Sequence, residues 1–216
     1  MNTPNAVLMS SARETLKGKW RVPIKVTVIY FLISMLLRVI PIIGPIISIA
    51  ITGPLAIGLV IYFLSFSRSQ DPSYRKMFEG FDMWWRYFKA YFLVGIYILL
   101  WILLLIIPGI IAAYSYSQTF YILAEDKNIS IDDAIMKSKK MMMGNKMKLF
   151  LLGLRFIGWV FLCILTFGIG FIWLVPYIQV TMAKFYDDVK GEGPVVPEVM
   201  EVPIVVPTPQ AQPAAI

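Results

Sequence analysis

The sequence predicts an all-α fold, a multi-pass transmembrane helical bundle with short interfacial helices. Of its 216 residues, 58% are hydrophobic and 15% are charged, whereas a typical soluble domain is about 45–50% apolar and about 25% charged. A soluble chain of this length cannot bury so much apolar surface. Charged residues are also missing from the three stretches 39–67, 90–124 and 156–183, and each exceeds the roughly 20 residues that one span needs.

Each charge-free stretch carries a helix-breaking segment near its middle, at 41–45, 108–109 and 168–170. Proline removes a backbone donor and glycine favours turns, so these segments predict three helical hairpins with Pro/Gly apexes. The alternative is that Pro108 only kinks one long helix, as proline does in membranes. The six predicted spans are 22–40, 46–64, 91–107, 110–123, 149–167 and 171–185.

Basic residues collect before residue 26, in the connections 68–89 and 127–148, and after the last predicted span. Only the three-hairpin topology places all of these segments on one side of the membrane, and the positive-inside rule makes that side cytoplasmic. The expected location is therefore the bacterial inner membrane, with both termini cytoplasmic. The expected divisions are a cytoplasmic interfacial segment at 1–21, the membrane bundle at 22–190 and a Pro-rich, disordered cytoplasmic tail at 191–216.

Two short helices are predicted outside the spans. Ser11 and Glu14 have the spacing of a capping box, which predicts that an interfacial helix begins at Ser11 and carries Trp20 to the level of the headgroups. Ser130 is the expected N-cap of a second helix, with acidic residues in its first turn. Gly144 suits the C-terminal end of that second helix.

The net charge of +7 would suggest nucleic acid in a soluble protein, but here it is assigned to membrane flanks that meet anionic headgroups. The aromatic and basic stretch 74–92 directly precedes a predicted span, so we interpret it as an interfacial belt rather than a base-stacking surface. The expected partners are the anionic bilayer and a membrane protein or a second copy, not nucleic acid. The lysines predicted to contact anionic lipid are Lys137, Lys139, Lys140, Lys146 and Lys148.

No acidic residue lies in any predicted span, which argues against the carboxylate relays of ion-coupled pumps. Arg155 is the notable intramembrane charge. It either contacts a substrate anion, clamps the bundle, or extends towards the headgroups and Asp187 or Asp188. The fourth span is unusually polar, and such groups line a cavity or bond between helices. The residues considered for a polar cavity or for bundle contacts are Arg155, Tyr114, Gln118, Tyr121 and Gln179.

Residue types that serve catalysis and metal binding are scarce. The chain has no histidine and one cysteine, Cys163, which excludes an imidazole base, a histidine metal site and a cysteine cluster. The sequence also lacks a phosphate-binding glycine loop, a zinc-protease motif and a hydrolase elbow. No catalytic residue, cofactor or metal is therefore expected, and the protein is predicted not to be an enzyme.

Several motifs together resemble a known family. They are Ala12 to Trp20, the Ile107-Pro108-Gly109-Ile110 turn, Ala134-Ile135 with Ser138, the Gly168-Ile169-Gly170 turn and Pro176-Tyr177. In these residues the chain resembles the bacterial integral-membrane family catalogued as domain of unknown function number 975. It resembles more distantly the membrane domain fused to some glycerophosphodiester phosphodiesterases, which shares the Pro-Gly-Ile turn and the Ala-Ile-x-x-Ser helix. The resemblance implies an all-helical, multi-pass fold and supplies no activity or catalytic residue.

Three functional hypotheses follow. The first is a non-enzymatic accessory or structural membrane protein that acts through lipid or partner contacts, in envelope homeostasis or in resistance to membrane-active agents. The alternative is a small-molecule transporter or permease with a polar cavity around Arg155 and Gln118. A third hypothesis is an intramembrane lipid-modifying enzyme. A water-accessible cavity that joins Arg155 to Gln118 would favour transport, whereas a filled core would favour the accessory role.

Overall fold

The computed structural model describes residues 3–39 and 43–191. Within these ranges the chain is all helical, with nine α-helices and one 3₁₀ helix. Residues 40–42, at the expected first apex, and the Pro-rich tail from 192 onwards lie outside the described ranges. The helices are α1 (Asn5–Leu16), α2 (Arg21–Val39), α3 (Ile43–Ser67), the 3₁₀ helix (Tyr74–Phe81), α4 (Trp84–Leu104), α5 (Ile106–Tyr116), α6 (Thr119–Glu125), α7 (Ile131–Met141), α8 (Lys146–Leu165) and α9 (Phe171–Lys190).

Three of the described helices are long and apolar enough to cross a membrane: Ile47–Ser67 within α3, Trp84–Leu104 and Lys146–Leu165. A fourth candidate exists if α1 and α2 together count as one span, although they are bent by 99° where they meet. Helix α5 has 11 residues, fewer than the roughly 17–25 that a span needs. Length and composition therefore identify three spans, or up to four, in the described chain, where the sequence predicts six.

The core is built around α3. In the most apolar part of this helix 61% of the residues are buried inside the protein, against 17% for α4 and 22% for α8. Its Tyr62 and Phe63 are almost fully buried, as are Phe185 and Tyr186 of α9. Helix α3 is thus the central helix, whereas α4 and α8 turn much of their apolar surface outwards.

Helices α4 and α5 form a tight hairpin, but its apex differs from the prediction. The chain reverses at Leu105, which is extended (φ −160°, ψ 136°), and Pro108 and Gly109 lie in the first turn of α5. Proline is tolerated there because the first N–H groups of a helix have no intrahelical acceptor. A Cβ on Gly109 would lie 2.8 Å from the Ile102 Cα, so glycine permits the close approach. The close approach of Ile102 and Gly109 shows that the chain folds back at this point and does not continue as one long, kinked helix.

The turn between α8 and α9 confirms the predicted glycine turn. Phe167 and Gly168 both have positive φ, at 52° and 85°, and the Gly168 N–H donates to the Cys163 carbonyl at 2.9 Å. Glycine adopts this left-handed conformation without a Cβ penalty. Gly170 is needed for a second reason, because a Cβ there would lie 2.7 Å from the Cys163 Sγ.

The predicted fourth span is broken between α5 and α6, and Ser138 of α7 bonds to the break. Its hydroxyl donates to the Ser115 carbonyl at 2.8 Å and accepts from the Gln118 N–H at 3.2 Å. These backbone groups would otherwise be orphaned by the break. The predicted start of α7 is confirmed, since the Ser130 hydroxyl accepts from the Asp133 N–H at 3.1 Å.

The first helix begins earlier than predicted. Helix α1 starts at Asn5, so Ser11 lies within it and the capping-box prediction is wrong. Leu8, Ala12 and Leu16 are fully buried, and α1 packs against α8 and α9. Burial of the Leu8 face extends the helix beyond the point that the local capping signal marks.

Candidate functional site

Five polar side chains at the ends of three helices form a cluster that we call the charged junction: Arg68, Glu125, Tyr186, Asp187 and Lys190. The Arg68 guanidinium lies 2.6 Å from an Asp187 oxygen and 2.8 Å from a Glu125 oxygen. Lys190 lies 2.9 Å from the other Glu125 oxygen, which also accepts from the Tyr186 hydroxyl at 2.7 Å. The C-terminal ends of α3, α6 and α9 therefore meet at one set of ion pairs.

The contacts in the charged junction determine its protonation states. Burial would lower the pKa of the Arg68 guanidinium, but its hydrogen bonds with Asp187 and Glu125 outweigh burial and raise the pKa. Burial would raise the pKa of Glu125, but hydrogen bonds from Tyr186, Lys190 and Arg68 lower it to about 2. Burial and the hydrogen bond to Glu125 both raise the pKa of Tyr186. At neutral pH Arg68 and Glu125 are therefore charged and Tyr186 is neutral.

Sequence reasoning missed the charged junction. Its members come from connections and helix ends that are far apart in the chain, with 119 positions between Arg68 and Asp187. One signal was available: the chain has 13 acidic residues, and two of them, Asp187 and Asp188, lie within three residues of the end of a predicted span. Acidic residues beside the end of an apolar helix are candidates for ion pairs with the basic residues of the neighbouring connections.

A second ion pair joins Lys148 of α8 to Asp188. The other Asp188 oxygen accepts from the Thr3 N–H at 3.0 Å, and the Asn5 amide donates to the Lys148 carbonyl at 2.9 Å. Lys148, predicted to contact anionic lipid, is thus used inside the protein, with 13% of its side chain exposed. Of the other predicted lipid contacts, Lys137, Lys139 and Lys140 are exposed and Lys146 is half-buried.

The residues predicted to form a polar cavity lie in different surroundings. Gln118 is 2% exposed, and its amide donates to the Ser117 hydroxyl at 3.0 Å. Tyr121 stacks on Tyr186 of the charged junction, with 5.2 Å between ring centroids. Tyr114 packs edge-on against Phe150, while Gln179 is half-buried. Tyr121 is thus the member of the predicted set that reaches the charged junction.

Arg155 is exposed and lines a groove of about 600 Å³. Within the described ranges it makes no hydrogen bond or ion pair, and both aspartates considered as its partners are engaged by other cations. Gln118 does not line this groove. The remaining lining residues are Thr3, Pro4, Asn5, Lys148, Leu151 and Leu154.

Comparisons with curated proteins and with solved structures gave no match. A comparison with protein-family models did give one, to the family described as "Protein of unknown function (DUF975)". The match covers residues 1–114 and 100–192, which together include everything except residues 193–216. The chain therefore belongs to this family of unknown function.

Proposed function

We propose that this protein is a six-span membrane protein of the bacterial inner membrane that acts as a non-enzymatic accessory protein through lipid or partner contacts. The observation that carries the proposal is a difference between the two ends of the helices that follow each predicted hairpin turn: one end is charged and the other is apolar. At one end the C-termini of α3, α6 and α9 meet in the charged junction. At the other end, α5 and α9 start from turns with exposed apolar side chains.

The charged junction supports the three-hairpin topology. Each of α3, α5–α6 and α9 is the returning half of a predicted hairpin, and ion pairs join their C-terminal ends. A shared end is what the proposed topology requires, with all three hairpins entering the membrane from the same side. The basic connections begin at that end, so the positive-inside rule makes it cytoplasmic.

The exposed turns support membrane insertion. Leu103 and Ile107 beside the α4–α5 turn are 81% and 73% exposed, and Leu165 and Phe167 beside the α8–α9 turn are 75% and 99% exposed. Contiguous apolar surface of this kind is unfavourable in water, whereas hydrocarbon solvates the sides of the helices without penalty and leaves the turns themselves at the outer headgroup level. Trp84 and Trp85 at the start of α4 are also exposed, as expected for residues at a membrane interface.

The accessory role is favoured over transport and catalysis. Arg155 and Gln118, the centre of the transport hypothesis, lie in separate surroundings, and Gln118 is enclosed. The chain has no histidine, and its one cysteine is buried. Envelope homeostasis and resistance to membrane-active agents remain the proposed settings, and the distant likeness to phosphodiesterase membrane domains remains a prediction.

Single-cysteine labelling tests the topology. In a Cys163→Ala background, Ile107→Cys and Ile169→Cys place thiols beside the two turns, while Lys127→Cys and Lys140→Cys place them in the 127–148 connection. We expect a membrane-impermeant maleimide to label the first pair on intact cells and the second pair only after permeabilisation. Labelling of the connection from outside would contradict the proposal. Gly109 is avoided because a side chain there would collide with Ile102.

A further inference from the structure

A groove of about 450 Å³ lies between α1 and the α8–α9 hairpin. This volume falls within the roughly 300–1,000 Å³ typical of ligand pockets. Trp159 and Trp173 on its walls are 45% and 49% exposed, so the groove is open to the surroundings at these two side chains. The other wall residues of α8 and α9 are Leu162, Cys163, Thr166, Gly170, Leu174 and Tyr177.

One cation, Arg13 of α1, stands at the wall of this groove together with Trp20. Its guanidinium lies 5.9 Å from the centroid of the Tyr177 ring, and the Tyr177 hydroxyl donates to the Met9 carbonyl at 3.3 Å, which holds α1 against α9. Within the described ranges Arg13 makes no ion pair or hydrogen bond. A guanidinium stacked on a ring can still donate its N–H groups to an oxyanion.

The shape of the groove places its charge at one end. Tyr177, under Arg13, and Gly170, at the α8–α9 turn, are seven residues apart on α9, which corresponds to about 10 Å along the helix axis. Among the described wall residues between them, the polar side-chain groups are the indole N–H groups of the two tryptophans and the Thr166 hydroxyl, which donates to the Cys163 carbonyl at 2.9 Å. The groove therefore has a mostly apolar body, a cationic end and an opening at Trp159 and Trp173.

We propose that this groove binds one phospholipid, with an acyl chain between Trp159 and Trp173 and the phosphate at Arg13. The inference deepens the proposed function and rests on the membrane location. Trp159 and Trp173 lie in predicted spans, so an opening between them favours a ligand that diffuses within the bilayer over one that arrives from water. A guanidinium forms strong bidentate hydrogen bonds with the two non-bridging oxygens of a phosphodiester, and Arg13 is the cation on the described wall of the groove.

Cys163 reports whether the groove is occupied, because it is the one cysteine in the chain and is 7% exposed on the groove wall. The full-length protein is delipidated in a maltoside detergent, and the rate of Cys163 alkylation by N-ethylmaleimide is measured against added phosphatidylglycerol or a diacylglycerol with the same chains. We expect phosphatidylglycerol to slow alkylation with an apparent Kd about tenfold lower than that of diacylglycerol, which corresponds to about 1.4 kcal/mol.

Two matched variants test the role of the cation. Arg13→Gln should remove the preference for phosphatidylglycerol, while Arg75→Gln, at an exposed arginine outside the groove, should keep it. Both side chains are exposed, so both variants should keep the wild-type melting temperature. Equal protection by the two lipids, no protection by either lipid, or a preference that persists in Arg13→Gln would overturn the proposal. The labelling at Ile107→Cys and Ile169→Cys reports membrane placement separately, so the two proposals can fail independently.

Discussion

Asp187 and Asp188 are neighbours on α9, yet they belong to two different ion-pair centres. Adjacent residues point about 100° apart on a helix. Asp187 enters the charged junction through Arg68, whereas Asp188 pairs with Lys148 of α8. One centre therefore connects α9 to α3 and α6, and the other connects α9 to α8. The two centres stabilise the position of the same helix by different arrangements of charge.

The two centres differ in exposure and in the number of partners. The Asp188 and Lys148 side chains are 1% and 13% exposed, whereas Arg68 and Glu125 are 30% and 23% exposed. Glu125 also has contacts from Lys190 and from the Tyr186 hydroxyl. In an enclosed pair, the stability depends strongly on the one cation, since removal of that cation leaves a buried, unpaired charge. In a network with several donors, the contribution to stability is shared among them, so the loss of one donor costs less.

The largest effect is expected from Lys148→Met. This change leaves the Asp188 carboxylate buried with the Thr3 N–H as a remaining donor, and it should lower the free energy of unfolding by about 3 kcal/mol, within the range for broken buried pairs. Denaturant unfolding in detergent micelles measures the loss. Lys140→Met, at an exposed lysine of α7, is the control and should change stability by less than about 0.5 kcal/mol.

A double variant sharpens this first prediction. Lys148→Met combined with Asp188→Asn removes both charges, so it should recover part of the stability that Lys148→Met loses. If the double variant is less stable than Lys148→Met, the loss comes from packing and not from an unpaired carboxylate.

A smaller effect is expected from Arg68→Gln. Glu125 keeps Lys190 and the Tyr186 hydroxyl in this variant, and solvent screens part of the junction, so the loss should be about 1–2 kcal/mol by the same denaturant measurement. Arg75→Gln again serves as the control. A loss larger than that of Lys148→Met would reverse the proposed ranking of the two centres.

The smallest effect at neutral pH is a dependence on acid, because Glu125 stays ionised there. The pKa of Glu125 is lowered from 4.5 to about 2 in the folded protein, so its contribution to stability is complete above pH 4.5 and is lost as the pH falls through 2. Between these values wild-type protein should lose more stability than Glu125→Gln, which has no carboxylate to protonate. Identical pH profiles for the two proteins, measured by thermal unfolding in micelles, would show that Glu125 is not coupled to folding.

Short sequence motifs were sufficient to predict those features that depend only on local backbone geometry. The Gly168 turn and the Ser130 cap were both predicted, because a positive φ and an N-cap hydrogen bond involve residues only a few positions apart. The hairpin apex at Leu105 was predicted only approximately. Pro108 and Gly109 mark the region, but the contact between Ile102 and Gly109 decides where the chain reverses.

The sequence by itself determined the helical class, the apolar composition, the positions of the connections and the family resemblance, since these depend on composition and short-range periodicity. The tertiary structure alone decided which charges meet. Arg68 joins Asp187 across 119 positions, and Lys148 joins Asp188 across 40, because burial between packed helices makes an unpaired charge unfavourable and selects the partner that lies within reach. The same packing placed Arg13 beside the groove between α1 and the α8–α9 hairpin.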